Sequence, residues 1–81
     1  MQRAYDAKEP ERLIVARAAW SEASEYTEAA RRAMERETGA VRAAWCEELL
    51  RRRVDLDAAA ARLATERRAY IAGELARMEE R

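Results

Sequence analysis

The thirteen residues RRRVDLDAAAARL, positions 51–63, decide which helical architectures this chain can adopt. Asp55 or Asp57 could cap a new helix, with Arg51 to Arg53 resting on the carbonyl end of the one before. Against a break, the stretch holds no glycine or proline, and Ala58 to Ala61 are the strongest helix formers. Phase is the better arbiter. At 100° per residue Trp45, Leu49, Leu56, Leu63 and Tyr70 stay on one face straight across the aspartates, with Ile71, Leu75 and Met78 beside them. A second row of small residues, Val54, Ala58, Ala61, Thr65, Ala69, Ala72 and Ala76, runs along the opposite side. A break would reset both phases, so the spacing predicts one helix over residues 40–78. A three-helix bundle broken near 54–57 is the alternative.

The preceding segment reads as a shorter helix over residues 10–38. Pro10 suits a first turn, where its missing N–H costs nothing, and Glu11 suits the positive end of the dipole. Ala16, Trp20, Ala23, Thr27, Ala30 and Met34 step by 4, 3, 4, 3, 4, a heptad seam. Leu13, Ala19, Tyr26 and Ala33 widen it. Glu37-Thr38-Gly39-Ala40 is the turn signal, with Gly39 expected as a left-handed C-cap closing the first helix. Residues 1–9 are a polar lead-in. The whole chain is then a single all-α domain: an antiparallel, coiled-coil-like hairpin.

Composition enters at the question of stability. Alanine supplies 20 of the 81 residues, arginine 15 and glutamate 13, against six leucines, two isoleucines and three valines. An alanine-filled seam buries little area per residue, and a chain this short has a marginal core. One hairpin arm covers only one of the two rows on the long helix. The other is most simply covered by a second copy, giving a dimeric four-helix bundle. The long helix, about 60 Å against about 40 Å for the first, should overhang by about a third of its length. The candidate interface is Trp20, Trp45, Leu49, Leu56, Leu63 and Tyr70 together with Ala58, Ala61 and Ala72. Trp20 and Trp45 form a large buried block near the turn if the packing brings them together.

Arg42, Arg52, Arg53 and Arg67 fall within the large apolar arc. Their stems can pack while the guanidinium groups snorkel out or pair with glutamates of a facing helix; otherwise they offer contacts to an acidic partner. Glutamates followed by arginines at i+4, as in Glu47 to Arg51 and Glu48 to Arg52, read as solvated ion pairs.

Chemistry has few footholds. Histidine is absent, which removes the commonest general base and metal ligand, and no glycine-rich phosphate loop or serine elbow occurs. Neither an enzyme nor a cofactor or metal site is expected. Cys46 is the one cysteine, and it reads as a small buried or half-buried thiol in a reducing cytoplasm. No apolar run reaches the roughly 18 residues a membrane span needs, and the polar start is unlike a signal peptide. Basic and acidic residues balance at 16 each, so no overall field draws nucleic acid.

The run DLDAAAARLATERRAYIAGEL, residues 55–75, resembles a helix-turn-helix segment, with AARLATERR in the place of the first helix and turn. That resemblance implies a DNA-binding regulator. The chain departs from the pattern at Ala64, where the motif usually carries its turn glycine, and Glu66 and Glu74 oppose phosphate contact. The primary expectation is therefore a small helical module that self-associates and binds another protein.

Overall fold

The computed structural model describes residues 9–80 and shows two long helices: α1, Glu11–Arg36, and α2, Gly39–Glu79. The expected lead-in lies, apart from Glu9, outside the described residues. Pro10 stands one position ahead of α1, and its carbonyl accepts from the N–H groups of Leu13 (3.0 Å) and Ile14 (3.2 Å). The proline thus acts from the N-cap rather than from inside the first turn.

α1 stops at Arg36, two residues before the expected boundary. Glu37 (φ −109°, ψ 165°) and Thr38 (φ −135°, ψ 168°) are both extended and reverse the chain between the helices. Gly39 is left-handed, at φ +61°, as the turn chemistry requires. Its place differs from expectation: it is the first residue of α2, not the cap of α1. The Thr38 carbonyl then accepts the Arg42 N–H at 3.4 Å.

α2 runs without interruption through RRRVDLDAAAARL. Asp55 and Asp57 are exposed mid-helix residues and cap nothing. No break occurs near 54–57, so the three-helix alternative is not what forms. The long dimension of the molecule, 63 Å, is that of a 41-residue α-helix at about 1.5 Å per residue.

Cross-helix contacts fix an antiparallel register. Arg12 pairs with Glu66 at 3.7 Å, and Tyr26 and Thr27 both meet Arg52. Residue numbers rise on one helix as they fall on the other. This register sets Trp20 opposite about Ala59 and Trp45 opposite about Met34, roughly 20 Å apart along the axis. The two tryptophans therefore do not form a block near the turn. By the same register Glu11 lies opposite about Arg68, so residues 69–79, roughly a quarter of α2 rather than a third, extend past α1.

The core is thin. Among the described residues, Leu13, Ala16 and Leu63 form the buried cluster, with Tyr70 packed against it, and Ala30 and Ala33 are buried nearer the turn. The large row of α2 faces α1: Leu63 is buried, and Trp45, Leu49, Leu56 and Tyr70 are half-buried. On α1 the seam is buried at Ala16 and Ala30 and half-buried at Ala23, Thr27 and Met34. Trp20 sits at its edge, 41% exposed, because the bulk of an indole does not fit between backbones that alanines bring together.

Candidate functional site

Two features stand out, one between the helices and one on the outer side of α2. The first is centred on Arg52, which projects from α2 into the seam and is half-buried. Its Nη1 donates to the Tyr26 carbonyl at 2.6 Å, and its Nε donates to the Glu48 carboxylate at 2.7 Å. The guanidinium carbon lies 5.8 Å from the Tyr26 ring centre and 5.9 Å from that of Trp45, within cation–π range of both. Glu48 also holds Arg51, one turn further along on the exposed side.

A planar, permanently charged fork suits this geometry. It donates in two directions while its faces rest on aromatic rings, which an ammonium cannot do. Beside it Thr27 donates to the Ala23 carbonyl at 2.7 Å and approaches the Arg52 carbonyl at 3.4 Å. Together these bonds tie the middle of α1 to α2. An open groove of about 420 Å³ runs past them, with Ala19, Glu22, Ala23 and Tyr26 on one wall and Glu48, Arg52 and Asp55 on the other. Three carboxylates, Glu22, Glu48 and Asp55, share the groove's lining with the Arg52 guanidinium, and of these Glu48 pairs with it.

Of the four arginines singled out by sequence, Arg52 alone enters the seam. Arg42, Arg53 and Arg67 are exposed and make no ion pair among the described residues. Glu48 to Arg52 forms as expected, but Arg51 pairs with Glu48 rather than with Glu47. Sequence reasoning passed over Tyr26 as a partner of Arg52, since its contribution is a backbone carbonyl and carries no sequence signal.

The second feature is the face of α2 turned away from α1. Ala58, Ala61 and Ala72 are all exposed, as are Val54 (68%) and Leu50 (66%). The hairpin thus leaves the small-residue row uncovered and adds Leu50 to it, a residue that belonged to neither row in the sequence reading. Further along the same helix Ile71, Leu75 and Met78 are also more than half exposed.

Elsewhere the surface is laced with local ion pairs. Arg17 donates to Glu9 at 2.7 Å, and that bond is the main reason the Glu9 carboxyl is held below the usual carboxylate range. Arg31 does the same for Glu28. The Tyr70 phenol is pushed above its ordinary value, first by desolvation in its packed position and then by the Glu74 carboxylate.

Among the described residues no group of three His, Cys, Asp or Glu side chains could hold a metal ion, and no helix is long and apolar enough to cross a membrane. Cys46 is free and half-buried beside Trp45. Residues 55–75, the stretch that resembles a helix-turn-helix, lie in one uninterrupted helix, so the turn of that motif is not formed. No protein family, curated protein or solved structure matches this chain.

Proposed function

We propose that this chain is a small helical assembly module whose first partner is a second copy of itself. One observation carries the reading: among the described residues the core holds two large buried side chains, Leu13 and Leu63, while Leu50 and Val54 stand two-thirds exposed on the outer face of α2. A hairpin this lightly packed gains more from burying that face than from leaving it in water. The antiparallel four-helix dimer is the arrangement that covers it with the least additional structure.

Assembly, rather than catalysis, is the activity in this reading. The Arg52 cluster acts as an internal clasp that sets the register of each hairpin. Exposed Arg42, Arg53 and Arg67 stay available to an acidic segment of a further protein partner. The setting is a reducing cytoplasm, where Cys46 stays a thiol.

The test is the mass in solution. Sedimentation equilibrium between about 1 and about 200 µM, a range bracketing micromolar affinity, should show a rise toward twice the 9.3 kDa of one chain. A single-chain mass across the range would reject the reading.

A further inference from the structure

The outer face of α2 has a symmetry that specifies how a second copy would sit on it; this rests on the self-association reading above. Positions 43, 47, 50, 54, 58, 61, 65, 68 and 72 step by 4, 3, 4, 4, 3, 4, 3 and 4. They form a stripe about half a helical turn away from Leu49, Leu56 and Leu63. All nine are exposed.

Eight of these nine residues are mirrored about the Asp57–Ala58 peptide, and the ninth, Ala58, has Asp57 on the flank as its mirror position. Glu47 and Arg68 are equally far from it, as are Leu50 and Thr65, Val54 and Ala61, and Ala43 and Ala72. The mirrored members are complementary rather than alike: acid against base, large against small, large against small, small against small. Neither Glu47 nor Arg68 has an ion-pair partner among the described residues, and Arg68 makes only a 3.5 Å approach to the Thr65 hydroxyl.

We propose that two copies pair back to back through α2, antiparallel, about a two-fold axis at the Asp57–Ala58 peptide, with Glu47 of each facing Arg68 of the other. An isologous contact repeats every pairing twice, so one acid–base match becomes two. Leu50 fits over Thr65 of the second copy and Val54 over Ala61, which lets the axes approach near the lower end of the 8–10 Å range. A parallel arrangement loses all of this, because Glu47 would meet Glu47 and Leu50 would crowd Leu50. Asp57 borders the axis and approaches its counterpart, with Arg53 of each copy one turn away on the same flank.

The experiment is a charge swap read by sedimentation equilibrium. Glu47→Arg and Arg68→Glu should each weaken dimerisation by roughly tenfold, since each replaces two attractions by two repulsions. The double variant should return to the wild-type constant, and high salt should shrink the whole effect. Every substituted residue is exposed, so helix content by circular dichroism should not change. A disulfide readout fixes direction: in a Cys46→Ser background, Ala58→Cys should link to itself, whereas Ala72→Cys, about 40 Å from its counterpart in this arrangement, should not. A wild-type dimer whose charge swap fails to restore affinity, or whose Ala72→Cys variant self-links, overturns this arrangement and leaves self-association standing. A monomeric wild type overturns both.

Discussion

Leu63→Ala is the substitution that most directly probes the hairpin. Leu63 is 5% exposed and closes the cluster with Leu13 and Ala16, against which Tyr70 packs. Removing its three outer carbons forfeits roughly 2 kcal/mol of transfer free energy, at about 0.8 per methylene-sized group. A cavity term adds to this, so the measured range for such truncations is about 2–5 kcal/mol. Here the lower half applies, because the cluster lies between two helices with solvent on both flanks and the site can partly collapse. Two to three kcal/mol is still a large share of the total stability, which for 81 residues at about 0.05–0.15 kcal/mol each is roughly 4–12 kcal/mol. Urea unfolding followed at 222 nm, at fixed protein concentration because any association would add its own stabilisation, gives the difference. Leu75→Ala is the matched control: the same chemical change at a residue 54% exposed and outside the stripe proposed for a second copy should alter stability by less than about 0.5 kcal/mol. A loss below about 1 kcal/mol at Leu63, or equal losses at both positions, would refute the packing described here.

Gly39→Ala should cost about 1 kcal/mol, from backbone strain alone, since φ is +61° and an added Cβ would meet nothing within 4 Å; a raised melting temperature would contradict the turn geometry. Arg52→Lys should recover little of the stability lost in Arg52→Ala, because an ammonium cannot donate to Glu48 and the Tyr26 carbonyl while lying across both rings; full rescue in thermal melts would mean charge alone matters. Asp57→Ala should leave helix content intact and be neutral or stabilise by up to about half a kcal/mol, since a mid-helix aspartate caps nothing and alanine is the better helix former; a clear loss would place a helix end there. Acid should weaken the fold. The Glu9 and Glu28 carboxyls are held below their ordinary values by Arg17 and Arg31, so their contribution is present above the unfolded carboxylate pKa and is lost as pH falls through the lowered folded values. The melting temperature should drop modestly from about pH 5 toward about pH 2, and a flat profile would show these ion pairs to be idle.

The continuity of α2 was legible because phase is a property of many residues at once. Five large side chains from Trp45 to Tyr70 keep one face across Asp55 and Asp57, and no two aspartates outweigh that. The left-handed glycine was legible for a different reason, that only glycine occupies such backbone cheaply. Its assignment to the wrong helix reflects how little separates a C-cap from a first residue when the turn is two residues long. Register was not legible. An alanine seam presents nearly the same shape at every heptad, so sliding by one repeat changes few contacts. What settles it is polar and specific: Arg12 to Glu66, and Arg52 to the Tyr26 carbonyl. Sequence placed Arg52 in the apolar arc but could not show a backbone acceptor waiting opposite it. Trp20 was misjudged because its size suggested a core, whereas an alanine seam leaves this indole at its margin, while Trp45 stays half-buried against Arg52.

The same physics links the two features of the molecule. Alanines let α1 and α2 pack closely, and the Arg52 side chain reaches a main-chain carbonyl on the other helix. Close approach, however, buries few carbons, and the two leucines and three alanines buried among the described residues are a slight core for a helix of 41 residues. A long helix held on one side by so little keeps its opposite side under pressure to find cover. That opposite side carries Leu50 and Val54 against the mirrored Thr65 and Ala61, with Glu47 against Arg68 at the next step. In the proposed pairing these mirrored positions are the ones that would meet across the two-fold axis. The polar clasp inside the hairpin and the apolar stripe outside it are therefore complementary consequences of building with alanine.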